Sequence, residues 1–357
     1  MRGTMVGGGL IAVLLIAGSV PSRGAEERTS ANTPKLKQLL EKRPQADINR
    51  DGVLTMPEAR AFQARLKEIR EKRAKAAKRA RQQNPPTQSD VAYGPHERNV
   101  LDFWQAEGNG PRPLVIYIHG GGWVGGDKTN IRPDALERLL DAGISVASIN
   151  YRYSTQKPFP APMRDGGLAV QFLRHHAKEF NIDPERVACF GGSAGAVTSL
   201  WLAFHDDMAD PNASDPVLKQ STRLKAAGAI VAPTTLDKKT MDEWFGMKTV
   251  MHPAHPIMLG VSSEEELYSP EVREVAAKAS PIHHLSSDDP PAFLDYPQKY
   301  KPLGKQHTPG EMVHHPVFGE KLKEAADKIG APVVLNTTKD PQTQFDDLID
   351  FLIQKTK

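Results

Sequence analysis

From Val91 to the end of the chain, short apolar runs alternate with stretches whose apolar residues recur at helical spacing. That alternation predicts an α/β fold, a mostly parallel sheet with helices on both faces. Leu114–Ile118 reads Leu-Val-Ile-Tyr-Ile, the continuous apolar, β-branched run expected of a strand buried on both sides. Runs at Ile144–Ile149, Val187–Phe190, Ala226–Val231, Ala292–Leu294 and Val333–Leu335 predict further strands. Helices are predicted at Ala135–Leu140 (stopped by Gly143), Met163–Phe180, Gly319–Ile329 and Phe345–Lys355. Thr234–Ser280 shows no regular period. It is expected to form an irregular insertion over the carboxyl edge of the sheet, where such folds bind ligands.

Ahead of this domain the pattern changes three times. Arg2, the apolar run Leu10–Val20 and the small residues around Ser22-Arg23-Gly24-Ala25 read as an export signal over residues 1–25, which points to a periplasmic or secreted protein. The run is short for a bilayer span, and nothing later is longer, so no membrane span is expected after cleavage. Residues 34–66 form a second segment, with helices expected at Lys35–Lys42 and Ala59–Leu66 around a polar loop. Residues 67–90 form a third, strongly basic and helix-prone through Arg81, then a linker over Gln82–Asp90 that contains Pro85-Pro86. The basic run is read as a solvated spacer helix. The main domain then occupies residues 91–357.

Composition narrows the function. A net charge of +3 over 357 residues gives no support for a nucleic-acid partner. The one cysteine, Cys189, excludes an internal disulfide framework.

The polar loop of the second segment carries chemistry. Asp47, Asn49 and Asp51 place side-chain oxygens at alternate positions, and Gly52 permits a sharp turn. Val53 would offer its carbonyl, Thr55 takes the water-mediated place, and Glu58 closes the loop as a bidentate carboxylate. A hard cation wants that many oxygens at flexible distances. The loop resembles an EF-hand and implies Ca2+ as ligand, held by Asp47, Asn49, Asp51, Val53, Thr55 and Glu58. No second loop is found to pair with it.

Two glycine-rich motifs stand at the ends of predicted strands. Gly191-Gly192-Ser193-Ala194-Gly195 lies between a strand and a helix, where a serine on a tight turn needs small neighbours. His119-Gly120-Gly121-Gly122-Trp123 follows the Leu114–Ile118 strand. Its consecutive glycines let backbone N–H groups approach a substrate oxygen. With the N–H of Ala194, those of Gly120 and Gly121 would form an oxyanion hole.

With these motifs in place, residues 91–233 resemble the H-G-G-G esterase/lipase group of α/β-hydrolases. The likeness is nearest to the feruloyl- and acetyl-xylan-esterase-like proteins. It is carried by His119–Trp123, Gly126-Asp127-Lys128, Asn150-Tyr151-Arg152, Pro160-Ala161-Pro162 and Asn181–Arg186 leading into Gly191–Gly195. The resemblance implies hydrolysis of carboxylic esters, on carbohydrates or small molecules, by Ser193 and without a cofactor for catalysis.

The pattern then breaks. In the family the acid follows a later strand in a H-G-x-x-D setting, and the histidine lies in the loop after the last strand. Here Pro290–Leu294 matches the approach to the acid, but Asp295-Tyr296-Pro297-Gln298 follows, and Gln298 stands at the acid's position. No histidine occurs after His315. A serine without an adjacent base is a poor nucleophile. Two readings follow: a substitute pair, with His314 or His315 as base and Asp295 as acid, or a hydrolase fold kept as a ligand- or polysaccharide-binding module. His205-Asp206-Asp207 and His252-Pro253-Ala254-His255 lack a third metal ligand and read as surface segments. His283-His284 and Asp288-Asp289 read as structural turns. The oligomeric state is open.

Overall fold

The computed structural model describes residues 28–42, 46–299, 301, 307–341 and 344–357. The export signal expected over residues 1–25 lies outside the described residues. The chain divides into two compact units, residues 1–69 and 70–357.

In the first unit, α1 (Pro34–Lys42) and the start of α2 (Met56–Gln83) enclose the polar loop. Leu36, Ala46, Leu54, Ala59 and Phe62 form its small core. The loop's acidic side chains are turned onto loop N–H groups. Asp47 accepts from Arg50 (2.7 Å) and Gly52 (2.9 Å), and Asp51 accepts from Val53 (2.8 Å). Glu58 spans the loop, accepting from Ile48 (3.2 Å) at its start and from the Thr55 hydroxyl (2.8 Å) near its end. Those bonds hold the Glu58 carboxyl below its ordinary pKa, the Thr55 N–H contributing most. In place of a second loop, residues just before α1 supply backbone partners. Thr29 bridges Thr55, Ser30 N–H donates to Leu54 O at 2.8 Å, and the Ser30 hydroxyl accepts from Leu54 N–H at 2.9 Å.

Helix α2 continues unbroken through the basic run to Gln83. The side chains of residue 70 and residues 72–83 lie outside the described residues.

The second unit carries an eight-stranded sheet in the order β1-β2-β4-β3-β5-β6-β7-β8. The strands are β1 (Gln88–Ala92), β2 (Val100–Trp104), β3 (Arg112–Ile118), β4 (Ser145–Ile149), β5 (Ile182–Gly192), β6 (Ala226–Ile230), β7 (Ala292–Tyr296) and β8 (Val333–Thr337). β1 and β2 pair antiparallel at one edge, and β2 pairs antiparallel with β4; the other pairings are parallel. Neither β1 nor β2 was predicted. β1 starts at Gln88 within the stretch read as linker, and β2 is interrupted by Asp102. That aspartate is buried because Lys128, itself buried, meets it at 2.6 Å. A local hydrophobicity pattern cannot anticipate a pair separated this far along the chain.

Alternate strand residues feed two cores. Ile116 and Cys189 face one side with α4 (Ala161–His175) and α5 (Ala194–Phe204). Val115 and Ala188 face the other with α3 (Pro133–Asp141) and α11 (Leu348–Thr356). Helix α5 is apolar around its whole circumference and buried along its whole length, as a central helix must be. Between β6 and β7, the segment expected to be irregular instead forms α6 (Lys238–Phe245), α7 (Ala254–Leu259) and α8 (Pro270–Ala279). These helices are too short to show a period, but each is bounded. Asp237 and Ser269 cap α6 and α8 by accepting backbone N–H bonds, while Gly246 and Gly260 end α6 and α7 in the left-handed conformation. Between β7 and β8 lie α9 (Pro309–Val313) and α10 (Val317–Ile329).

Candidate active site

The carboxyl ends of β3 and β5 lie side by side, with Ile118 in register with Gly191. One leads into the glycine loop and the other into the serine turn. Ser193 sits at φ 54°, ψ −119°, a left-handed conformation that costs a non-glycine residue about 1–3 kcal/mol. The turn is held by Ser193 N–H donating to Ile230 O at 2.8 Å, and by Val197 N–H donating to Ser193 O at 3.0 Å. Small residues are obligatory here. A Cβ on Gly195 would stand 2.0 Å from Ile118 O, and one on Gly120 would stand 2.6 Å from Gly192 O and 3.5 Å from Ser193 Cβ.

The glycine loop is braced from behind by the residues that carry the family resemblance. His119 Nδ1–H donates to Gly120 O at 2.8 Å, its ring stacks on Tyr151 at 4.2 Å, and the Tyr151 hydroxyl donates to His119 O at 2.8 Å. Burial lowers the His119 pKa to about 4, so the ring is neutral and keeps this orientation at pH 7. Trp123 Nε1–H donates to Thr198 Oγ1 on α5 at 3.1 Å, tying the loop to the helix behind the serine. Asp127, Lys128 and Asn150 lock the next turn: Asn150 donates to Asp127 at 3.0 Å and accepts from Lys128 N–H at 2.7 Å. Among the described residues, the N–H groups of Gly120, Gly121 and Ala194 donate no loop hydrogen bond within the protein. That is the condition an oxyanion hole requires.

The candidate bases separate cleanly. His314 Nε2 lies 2.8 Å from Ser193 Oγ. It follows α9, whose start is fixed by a capping box between Thr308 and Glu311. Burial lowers the His314 pKa to about 4, and neighbouring His252 lowers it further. His314 is therefore a neutral acceptor at pH 7. Its neighbour His315 does not join the site. His315 Nε2–H donates to Lys301 O at 2.9 Å while Nδ1 accepts from Val317 N–H at 3.1 Å, so both ring nitrogens hold backbone. Asp295 does not join it either. Its carboxylate accepts from Asn336 Nδ2 at 2.9 Å, on the adjacent strand, and burial raises its pKa. Among the described residues no carboxylate bonds to His314. Gln298, at the position of the family's acid, is exposed and lines a cavity of about 430 Å³ together with His314.

Two further histidines read as surface residues lie inside. His255 is buried and bonds Leu236 O at 2.7 Å. His252 is half-buried against Gly122. Sequence spacing gave no signal for either, because the insertion that carries them is placed by tertiary contacts alone. His205 lies tilted against Trp201, ring centroids 4.1 Å apart, and His284 bonds Lys278 O, a packing role. Among the described residues no group of three or more His, Cys, Asp or Glu is gathered to hold a metal, and no helix is long and apolar enough to cross a membrane.

A parallel-sheet fold, a serine on a strained strand-to-helix turn and a paired histidine together define an α/β-hydrolase. Residues 101–299 match the model of the BD-FAE family, and the chain belongs to that family. It is 28% identical over 211 residues to the probable carboxylic ester hydrolase LipM of Mycobacterium tuberculosis, covering 57% of this chain and 46% of LipM. The chain spans about half the length of the curated relatives it matches. In fold it is similar to a truncated carbohydrate esterase from gut microbiota, with TM-score 0.60 and 20% identity over 76% of this chain and 98% of that one. It is also similar to the acetyl ester-xyloside bifunctional hydrolase of Caldicellulosiruptor lactoaceticus, with TM-score 0.52 and 23% identity over 66% of this chain and 75% of that one.

Proposed function

We propose that the chain is an exported carboxylic ester hydrolase that works through a Ser193–His314 dyad, on acyl esters of carbohydrates or small alcohols. The observation that carries this reading is the 2.8 Å approach of His314 Nε2 to Ser193 Oγ at the end of β5. As Ser193 Oγ attacks the ester carbonyl carbon, its proton passes to His314 Nε2. The carbonyl oxygen becomes an oxyanion held by the N–H groups of Gly120, Gly121 and Ala194. Collapse expels the alcohol, which takes the proton back from His314, and leaves an acyl-serine. Water then attacks the acyl carbon and gives a proton to His314; collapse breaks the bond to Ser193 Oγ, which takes that proton from His314 as the carboxylic acid leaves. The carbohydrate preference is supported by the fold neighbours, a carbohydrate esterase and an acetyl ester-xyloside bifunctional hydrolase, and export by the pattern of residues 1–25.

A ligand-binding reading of the same cleft has its own support: among the described residues no carboxylate bonds to His314. One experiment decides between them: hydrolysis of a short-chain 4-nitrophenyl ester by the wild type and by Ser193→Ala. Turnover lost on substitution supports the hydrolase. Equal turnover in both, or none in either with folding intact, sinks it.

The loop of the first unit is proposed to hold Ca2+ through Asp47, Asn49, Asp51, Val53, Thr55 and Glu58. The kind and spacing of its oxygen donors suit a hard cation, although Asp47, Asp51 and Glu58 are engaged by loop donors here and not drawn into one cluster. The role assigned to the ion is to stabilise this unit.

A further inference from the structure

Arg98, half-buried in the turn between β1 and β2, reaches the back of the glycine loop. Its Nε–H donates to Tyr151 O at 2.8 Å, and its guanidinium lies 3.7 Å over the Tyr153 ring. A terminal nitrogen of the same guanidinium meets His119 Nε2 at 3.4 Å. A guanidinium has no acceptor and does not lose its proton, so His119 Nε2 must present a lone pair to it. The other ring nitrogen faces Gly120 O, which only accepts, at 2.8 Å.

The two contacts admit one form of the ring, neutral with its hydrogen on Nδ1. The Nε2–H form would turn a hydrogen to the guanidinium and a lone pair to the carbonyl. The imidazolium would set two positive charges together. Burial keeps the ring neutral, Arg98 adds to that and Asp127 opposes it, while Tyr151 and Tyr153 meet it as neutral phenols.

That single hydrogen acts on the next peptide. A trans peptide is planar, with its C=O and N–H pointing opposite ways. Tyr151, by holding His119 O, aims the N–H of Gly120; His119, by holding Gly120 O, aims the N–H of Gly121. Glycine is free to turn, so each plane depends on what holds its carbonyl. Gly126 closes over the second bond. A Cβ there would stand 2.3 Å from Gly120 O and 2.4 Å from His119 Nδ1, which leaves no place for a water to replace the ring.

We propose that Arg98 is a positioning residue of the oxyanion hole. By donating to His119 Nε2 it keeps the proton off that nitrogen, so the ring's one hydrogen stays on Nδ1 and fixes the peptide that carries Gly121 N–H. The consequence for rate rests on the Ser193 hydrolase reading; the placing of the proton does not.

The nitrogen-15 spectrum of histidine-labelled protein at pH 7 tests where the proton sits, with the His119 signals assigned by their loss in His119→Asn. In the wild type Nδ1 should show the shift of a protonated nitrogen and Nε2 that of a bare one. In Arg98→Met, which keeps an unbranched side chain without donor or charge, Nε2 should gain a proton in a measurable fraction. A protonated Nε2 in the wild type would overturn the inference without any variant, and so would an unchanged His119 spectrum in Arg98→Met. Kinetics on 4-nitrophenyl acetate test the consequence. Arg98→Met should lower kcat about tenfold with KM within about twofold. In His119→Asn the side-chain amide N–H takes the place of Nδ1–H and has no second form to exclude. Adding Arg98→Met there should cost less than about twofold. An equal loss in both backgrounds would mean that Arg98 only supports the fold, and the inference falls. If the wild type shows no Ser193-dependent turnover, the hydrolase reading fails, while the nitrogen shifts still decide what Arg98 does to His119.

Discussion

The two halves of the sheet edge that form the site are built to different standards. On the side of β3 and β5, every approach is fixed by backbone: glycines leave no room for a Cβ, and His119, Tyr151 and Trp123 hold the loop from behind. On the side of β7 and β8, the serine's partner comes from a short helix after β7 rather than from the loop after β8. Among the described residues no carboxylate bonds to it. An oxyanion hole works only if it is rigid before substrate arrives, because its value lies in dipoles that need no reorganisation. A base needs only a lone pair within reach of the hydroxyl, so several positions on the sheet edge serve. Geometry thus constrains the first half tightly and the second loosely.

The largest effects should fall on the dyad. His314→Ala is expected to lower kcat roughly 10³- to 10⁵-fold, as removal of a base does in other serine hydrolases, and Ser193→Ala by a similar factor. Because the two act as a unit, the double variant should lose little more than either alone. His315→Ala, which removes the bonds to Lys301 O and from Val317 N–H, should leave kcat within about tenfold while lowering the melting temperature. Steady-state kinetics on an aryl ester checks all of these. A loss with His315→Ala that matches His314→Ala would mean the base has been assigned to the wrong ring.

The rigid half predicts the next effect. Gly120→Ala places a methyl 2.6 Å from Gly192 O, so the loop must move away from the serine turn. Displacing an oxyanion donor typically costs about 10²–10³-fold in kcat. KM should change little, since ground-state binding does not depend on that N–H. A variant with kcat within about threefold of wild type would show that Gly120 lies outside the oxyanion hole.

The same contrast explains what could be read from the chain alone. β3, β5, the glycine loop and the serine turn are short-range features: a strand, a turn and the residues the turn demands follow one another within a few positions. The six parallel strands were legible for that reason, and so was the placing of Gly120, Gly121, Ser193 and Ala194 at the ends of two neighbouring strands. His314 could be narrowed to a pair with His315, but choosing between them needed α9 and the bonds His315 makes to Lys301 and Val317. Asp295 looked available because it ends a strand, yet its side chain is taken by Asn336 on the neighbouring one. β2 and the helical insertion stayed hidden because Asp102 and His255 have partners many residues away.

Gln298→Asp tests whether the loose half can be tightened. Gln298 and His314 line one cavity, and a carboxylate at residue 298 would favour the protonated form of His314. In the wild type, burial and His252 hold the His314 pKa near 4. Since the neutral ring is the proposed base, kcat/KM should fall with decreasing pH only as the pH nears that value. A carboxylate partner raises the pKa, so the acid limb of Gln298→Asp should move to higher pH. Stabilising the imidazolium formed in the transition state should raise kcat by about tenfold. An unmoved acid limb would show that residue 298 does not reach His314.

The smallest effect concerns the first unit and should leave catalysis untouched. A ligand that binds the folded form alone at a hundred times its Kd adds about 2.7 kcal/mol of stability. Calcium should therefore slow amide exchange in the loop around Asp47–Glu58 by up to about a hundredfold relative to chelator, with kcat unchanged. Glu58→Gln removes the carboxylate that reaches from Ile48 to Thr55, and it should erase most of that protection. The Thr29–Thr55 bridge sharpens the expectation, because residues 29–30 already satisfy the backbone that a second loop would have paired. Without calcium the loop should then keep measurable protection at Leu54, whose N–H is bonded to Ser30, while protection at Gly52 and Val53 depends on the ion. Equal exchange in wild type and Glu58→Gln, with and without calcium, would leave the loop as a turn that carries calcium-binding residues without binding the ion.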